Sequence, residues 1–294
     1  LLLIAGIIPS ADFPLVKGTI RKENSILKIN DYSIPAAQGT AAMISSALAV
    51  TTFLNLEPPQ VLLAGDTGSG KGSRAIYKYL IENIADLQPR VLALHYCMPI
   101  LQLTKKLVTA VKRCSNKPVL IADAASMYAA KAAGVAPEFD IFTPDASELA
   151  FLADPEAVHP AYMSRYLFEA DISTAPELIN KAYKYQNSAQ FLLVKGAIDY
   201  LACDGSILGT ITQPDVPEIE CIGGTGDTIT GMIAALIYAG LDPQKAAVIS
   251  AAANRLAGQR AKANPATKIN EIIDQFPAVF ADNLNSWILL KGDY

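Results

Sequence analysis

The stretch richest in chemistry runs Ile222-Gly223-Gly224-Thr225-Gly226-Asp227-Thr228-Ile229-Thr230-Gly231. Three glycines fall within four positions, and an apolar run, Met232 to Ala239, follows. Glycine lets a backbone turn through positive φ and lets a ligand come close. A helix opening here points unpaired N–H groups and the positive end of its dipole into the loop, which makes an anion site. Asp227 is out of place beside a phosphate that its carboxylate repels. It fits if it takes a proton from a hydroxyl about to attack that phosphate. The plainer reading is a Gly-rich turn with Asp227 as a helix cap.

A second Gly-rich loop is Gly65-Asp66-Thr67-Gly68-Ser69-Gly70-Lys71-Gly72-Ser73. It nearly matches the phosphate loop G-x-x-x-x-G-K-[ST]. Gly72 stands where that loop needs a metal-binding hydroxyl, and Ser73 comes one place late. Residues 119–123 could then serve as the apolar strand carrying a metal-holding acid, Asp123. The missing hydroxyl counts against a true phosphate loop, since Mg²⁺ is then one ligand short; the alternatives are a tight turn on a helix start and a substrate-side phosphate or ribose cradle. Lys195 is either a cation for a nucleotide phosphate or a solvated strand end. Asp123 and Asp145 are caps or polar substrate contacts. His95 and His159 are isolated and receive no role. Cys221 has no evident base partner, which argues against a thiol nucleophile.

These residues need a scaffold, and the bulk numbers bound it. The 294 residues are 51% hydrophobic, enough for a sizeable core, with a formal net charge of −4. That balance argues against a nucleic-acid coat, though not against one local phosphate site. Four scattered cysteines, no CxxC and two histidines argue against zinc, and no metal ligand is assigned. Reduced thiols in a cytoplasm are the simplest reading. The opening LLLIAGII is too short to span a bilayer and reads as a strand or packing arm. Nothing else approaches a membrane span. The first residue is not Met, which allows a start inside a longer product.

Residues 60–64, 90–94, 118–123, 140–143 and 190–194 read as short buried strands. Helices read at 41–54, 73–86, 100–114, 175–187 and 244–263. Residues 15–34 read as a short strand or hairpin, and Asp204-Gly205 marks another hairpin. Residues 154–176 read as an excursion, and the tail from Ile269 as one more amphipathic helix. The alternation predicts an α/β fold, a mostly parallel sheet with helices on both faces, in a single domain over 1–294. Residues 1–15 would be an N-terminal arm and 266–294 a helical tail. Ligands bind such sheets at the carboxyl ends of the strands, where Asp66, Asp123, Asp145, Lys195 and Asp227 all fall. The Ala-rich helices suit close packing on a sheet or in a homo-oligomer, and the sequence leaves both open.

The order of segments also resembles a known family. Leu193-Val194-Lys195-Gly196-Ala197, the Asp-Gly hairpin, Gly224-Thr225-Gly226-Asp227, residues 233–243 and Leu256-Ala257-Gly258 resemble the C-terminal half of the NAD(P)H-hydrate dehydratases, of the ribokinase-like superfamily. Residues 118–125 and 143–149 resemble that family's strand–acid and Thr-Pro-Glu segments. The resemblance implies a three-layer α/β/α sandwich that uses ADP or ATP, with Mg²⁺, on hydrated NADH or NADPH. It implies that Asp227 is the base, and that Gly223, Gly224, Thr225 and Gly226 hold nucleotide phosphates. Lys195, Gly196, Ala197, Ile198, Asp199 and Asn254 would lie along the nucleotide. Gly39, Thr40, Gly65, Asp66, Gly68, Gly70, Asp123, Asp145 and Glu148 would face the substrate. The departures fall mainly on the substrate side. Asp145 stands for a family histidine, Ala122-Asp123-Ala124 shifts an Asp-Ala-Asp pattern, and the link from Leu54 to Val61 is short. Asn254 replaces a histidine on the long helix. These changes leave open a kinase for another small alcohol, such as a sugar or vitamin-like alcohol, and a nucleotide-binding protein without turnover.

Overall fold

A run of seven uncharged apolar residues can bury both faces only inside a sheet covered on both sides. Leu2–Ile8 does this, with every residue buried. The computed structural model describes residues 1–158 and 172–289. In chain order the elements are β1 (Leu2–Ile8), β2 (Val16–Thr19), β3 (Arg21–Glu23), β4 (Ile26–Ile29), β5 (Tyr32–Pro35), α1 (Thr40–Phe53), β6 (Gln60–Gly65), α2 (Lys71–Leu87), β7 (Val91–His95), α3 (Leu101–Lys112), β8 (Val119–Asp123) and α4 (Ala125–Ala132). Then come β9 (Ile141–Phe142), α5 (Ala146–Ala153), α6 (Ala175–Lys184), β10 (Phe191–Val194), β11 (Asp199–Cys203), β12 (Ser206–Ile211), α7 (Thr225–Ala239), α8 (Pro243–Arg260), α9 (Ile269–Ile273) and α10 (Phe276–Leu289).

Among the described residues nine strands form one sheet in the order β12-β11-β10-β9-β8-β7-β1-β6-β2. The six central strands run parallel. β2 at one edge is antiparallel to β6; toward the other edge β11 is antiparallel to β10, and the edge strand β12 to β11. Period-two alternation sends Leu2, Ile4 and Ile8 into one core with α1, α7, α8, α9 and α10. Leu3, Ala5 and Ile7 enter the other core with α2, α3, α4, α5 and α6. The result is an α/β/α sandwich. Residues 2–8 take the strand alternative and lie between β6 and β7. Residues 15–34 hold more than a hairpin: β2 joins the main sheet, and β3, β4 and β5 make a separate small one. Among the described residues the tail contains two helices rather than one, α9 and α10. The excursion at 154–176 falls partly, and His159 wholly, outside the described residues. Among the described residues no helix is long and apolar enough to cross a membrane.

One contact fixes the geometry of the site. α1 is rich in Ala and Ser and packs directly on α7. A Cβ added at Gly231 would sit 2.1 Å from the Met43 carbonyl oxygen and 2.2 Å from Ser46 Oγ. Only glycine allows the two helices to come this close. The N-terminal ends of both helices thereby meet above the carboxyl ends of β1, β7 and β8.

Candidate active site

α7 starts at Gly224, whose φ of 103° is costly for any residue with a Cβ. Asp227 lies in the first helical turn, with a 15% exposed side chain. It is not the cap that the plainer reading suggested: Asp227 Oδ2 accepts the Gly39 N–H at 2.8 Å, across to the start of α1. Its Oδ1 lies 3.0 Å from Nε2 of the buried His95, which closes β7. His95 Nδ1 is 2.9 Å from Thr40 Oγ1, and that oxygen is 2.8 Å from the Ile7 carbonyl oxygen. Burial alone would push the Asp227 carboxyl up; the His95 bond and charge, Lys195 and the Gly39 N–H outweigh it and hold it below the usual range.

A second charged pair sits beside the first. Asp123, closing β8, takes Lys195 Nζ on both oxygens, at 3.0 and 3.2 Å, and the Thr230 hydroxyl at 2.6 Å. Thr143 meets the same hydroxyl at 2.9 Å. Burial disfavours the Lys195 ammonium, but Asp123, Glu148 and Asp227 more than reverse this and hold its pKa above the usual lysine value. Asp145 and Glu148 form a capping box at the start of α5. Burial and then Asp145 push the Glu148 carboxyl up, and Tyr128 donates to it at 3.0 Å.

Two clefts meet at Asp227. One, of about 700 Å³, is lined by Asp123, Asp145, Glu148, Lys195, Gly196, Ala197, Asp199, Asn254, Arg255 and the Gly224–Asp227 turn. The other, of about 880 Å³, is lined by Ile8, Phe13, Ile34, Gly39, Thr40, Met98 and Gly223, with Asp66 and Gly68. Tyr96, Gly224 and Asp227 belong to both. Among the described residues nothing in the protein accepts the N–H of Gly224, Gly226 or Asp227 at the first cleft. A helix start with free donors beside a lysine suits a phosphate. The second cleft is mainly apolar. Asp199 lines the first cleft but is paired with Arg255 at 2.8 Å, and Arg255 also holds the Gly196 and Ala197 carbonyls at 2.8 and 2.9 Å. That clamp shapes the turn after β10. Asn254 accepts the Thr228 hydroxyl at 2.8 Å and ties α8 to α7.

The Gly65–Ser73 loop corrects the phosphate-loop reading. Its amides are already taken. Asp66, 6% exposed, accepts the N–H of Gly68, Gly70 and Gly72 at 3.0 Å each and of Ser73 at 3.4 Å. Burial opposes its charge, yet these donors with Ser69 Oγ hold its pKa below the usual value. A carboxylate of the chain fills the place a phosphate would take. Asp66 and Gly68 therefore form part of the wall of the apolar cleft, whereas Gly65 and Gly70 do not line it. Asp123 faces Lys195 rather than a phosphate-loop metal.

His95, Asp123 and Asp227 offer ligand atoms within 4.8 Å of one another. They do not fit Mg²⁺, which demands near-octahedral oxygen ligands. Imidazole is one of the three, and both carboxylates already hold a cationic or N–H partner. His95 is the residue the sequence hid. Its signal was there: a polar residue closing an apolar strand, the same position that marked Asp123. Thr230, Tyr96 and Arg255 carried no comparable signal.

A family model described as NAD(P)H-hydrate dehydratase matches residues 101–278. An uncharacterized protein of Methanocaldococcus jannaschii is 36% identical over 242 residues, covering 82% of this chain and 100% of its own. A bifunctional NAD(P)H-hydrate repair enzyme of Hyperthermus butylicus is 36% identical over 101 residues, 34% of this chain and 18% of its own length. The ADP/ATP-dependent NAD(P)H-hydrate dehydratase of Bacillus subtilis, co-crystallized with ATP and Mg²⁺, matches in structure with a TM-score of 0.55. Identity there is 16%, over 95% of this chain and 89% of the other, a likeness of fold, ribokinase-like.

Proposed function

This chain belongs to the NAD(P)H-hydrate dehydratase family, and from that premise we propose that it uses ADP or ATP to dehydrate hydrated NADH or NADPH. The observation that carries this reading is the place of Asp227, at the junction of an anion-suited cleft and an apolar one. The nucleotide lies in the first cleft, its phosphates toward Lys195 and the free N–H groups of α7. The nicotinamide end lies in the second. The ring hydroxyl oxygen attacks the terminal phosphorus, its proton passes to Asp227, and the bond to the nucleotide oxygen breaks with its electron pair on the departing nucleotide. The ring C–O bond then breaks, phosphate leaves with that pair, and the neighbouring carbon loses a proton as the double bond reforms. Mg²⁺, when bound with the nucleotide, neutralises phosphate charge; the chain's own part is to place donor and acceptor and hold the proton.

A second reading, phosphorylation of another small alcohol, draws on the acceptor cleft. Among the described residues no Lys or Arg lines it, whereas a dinucleotide brings anionic phosphates. One assay separates the two. Hydrated NADH is incubated with protein and ADP or ATP, and NADH absorbance is followed. Recovery of absorbance that requires nucleotide and is lost in Asp227→Asn supports the dehydratase. No recovery, together with nucleotide consumption on an uncharged alcohol, favours the kinase.

A further inference from the structure

The base of the proposed reaction has a buried partner whose protons can be counted. Thr40 Oγ1 carries one hydrogen and lies 2.8 Å from the Ile7 carbonyl, which can only accept. That hydrogen goes to Ile7. His95 Nδ1, 2.9 Å from the same hydroxyl, must then donate to it. An ionised carboxylate only accepts, so His95 Nε2 donates to Asp227 Oδ1 at 3.0 Å. We propose that His95 is a positioning residue for Asp227: donating from both ring nitrogens and anchored through Thr40 to β1, it fixes the carboxylate between the two clefts and offsets its charge where a phosphate must approach. The inference rests on the reading of Asp227 as the base.

This pairing answers the difficulty of an acid in an anion site. Where the clefts meet, His95 and Lys195 face the carboxylates of Asp123 and Asp227. Lys195 holds Asp123 at 3.0 Å, while Asp123 Oδ2 is 3.8 Å from His95 Nε2, beyond a hydrogen bond. His95 therefore serves Asp227. The charged and titratable groups around the pair are Asp123 from β8, Lys195 beyond β10 and Tyr96 next in the chain, whose ring meets the imidazole edge-on at 4.4 Å. Glu148, from α5, is felt through Lys195 and Tyr96. A carboxylate has about four acceptor sites. His95 and Gly39 take two, which leaves room for the substrate hydroxyl. When Asp227 takes that proton, His95 keeps both of its own, so the pair becomes one charge more positive while the substrate oxygen, having given up the proton, bonds to phosphorus.

The test uses the full chain labelled with ¹⁵N and ¹³C. In the wild-type protein both His95 ring nitrogens are expected to be protonated at neutral pH. In His95→Gln the Asp227 side-chain ¹³C titration moves to higher pH. With hydrated NADH and ATP, kcat in that variant falls on the order of 10²-fold, as for a misplaced reacting group. The nucleotide KM holds, and the acid limb of the pH profile moves up with the Asp227 titration. A bare His95 nitrogen in the wild type, or an Asp227 titration unmoved by His95→Gln, overturns the proposal. The wild-type ring measurement decides the question even if the variant does not fold. Expected spectra without turnover of hydrated NADH would refute the dehydratase reading and leave this pairing standing.

Discussion

Replacing Asp123 by Asn tests whether the two ion pairs are separate. Asp123 is 2% exposed and Lys195 11%, and the ammonium contacts both carboxylate oxygens. The substitution keeps shape and an acceptor for Thr230 but leaves Lys195 beside a neutral amide. Breaking a buried pair in this way costs about 3–5 kcal/mol. Lys195 keeps some water at the cleft and still feels Glu148 and Asp227, so the low end applies, about 3 kcal/mol. Urea unfolding measures it as a lower midpoint at unchanged slope. The sign with pH is fixed as well. A lysine whose folded pKa is raised contributes stability that is whole below its unfolded value, about 10.4, and is lost as pH rises through the folded one. The penalty is therefore the same at mildly acidic and neutral pH. Adding Lys195→Met removes the stranded charge and recovers much of the loss. A loss under about 1 kcal/mol, typical of an exposed pair, or a double variant no more stable than Asp123→Asn, would refute the reasoning.

Asp227→Asn leaves nucleotide binding intact by calorimetry while turnover falls on the order of 10²–10⁴-fold. Asp66→Ala strands the amides of the loop before α2 and lowers unfolding stability on the order of 3 kcal/mol, whereas Lys71→Ala leaves nucleotide affinity unchanged and Lys195→Met weakens it. For Glu148 the raised carboxyl pKa means that the folded state binds its proton more tightly than the unfolded chain does. Stability is then greatest below the unfolded value, about 4.3, and declines as pH rises toward the folded one. Melting scans from acidic to neutral pH should show that decline flattened in Glu148→Gln.

The sandwich was legible because its strands are short apolar runs between turn formers, and Asp227 was legible because glycine spacing and an awkward acid are local. What pairs with Asp227 was not. His95 lies 132 residues away, and only the packing of α1 on α7 brings Gly39, Thr40 and the end of β7 to one point. The Gly65–Ser73 loop misled for the opposite reason. Its glycines have the spacing of a phosphate loop, but whether its amides are free depends on the rotamer of Asp66. Asp199 and Asn254 were singled out in the sequence and both line the first cleft, while their partners, Arg255 and Thr228, came only with the fold.

The placement of β1 bears on how the chain is made. Among the described residues Leu2–Ile8 pairs with β6 and β7 and with no other strand. On the ribosome it is therefore synthesised before either of its neighbours. At the usual pace of synthesis, residue 60 follows in roughly 3–12 s. Through that interval seven uncharged apolar residues have no lawful partner, and such segments pair readily with copies of themselves. The strand that anchors Thr40 in the finished protein is thus a segment that a holding chaperone would protect during translation.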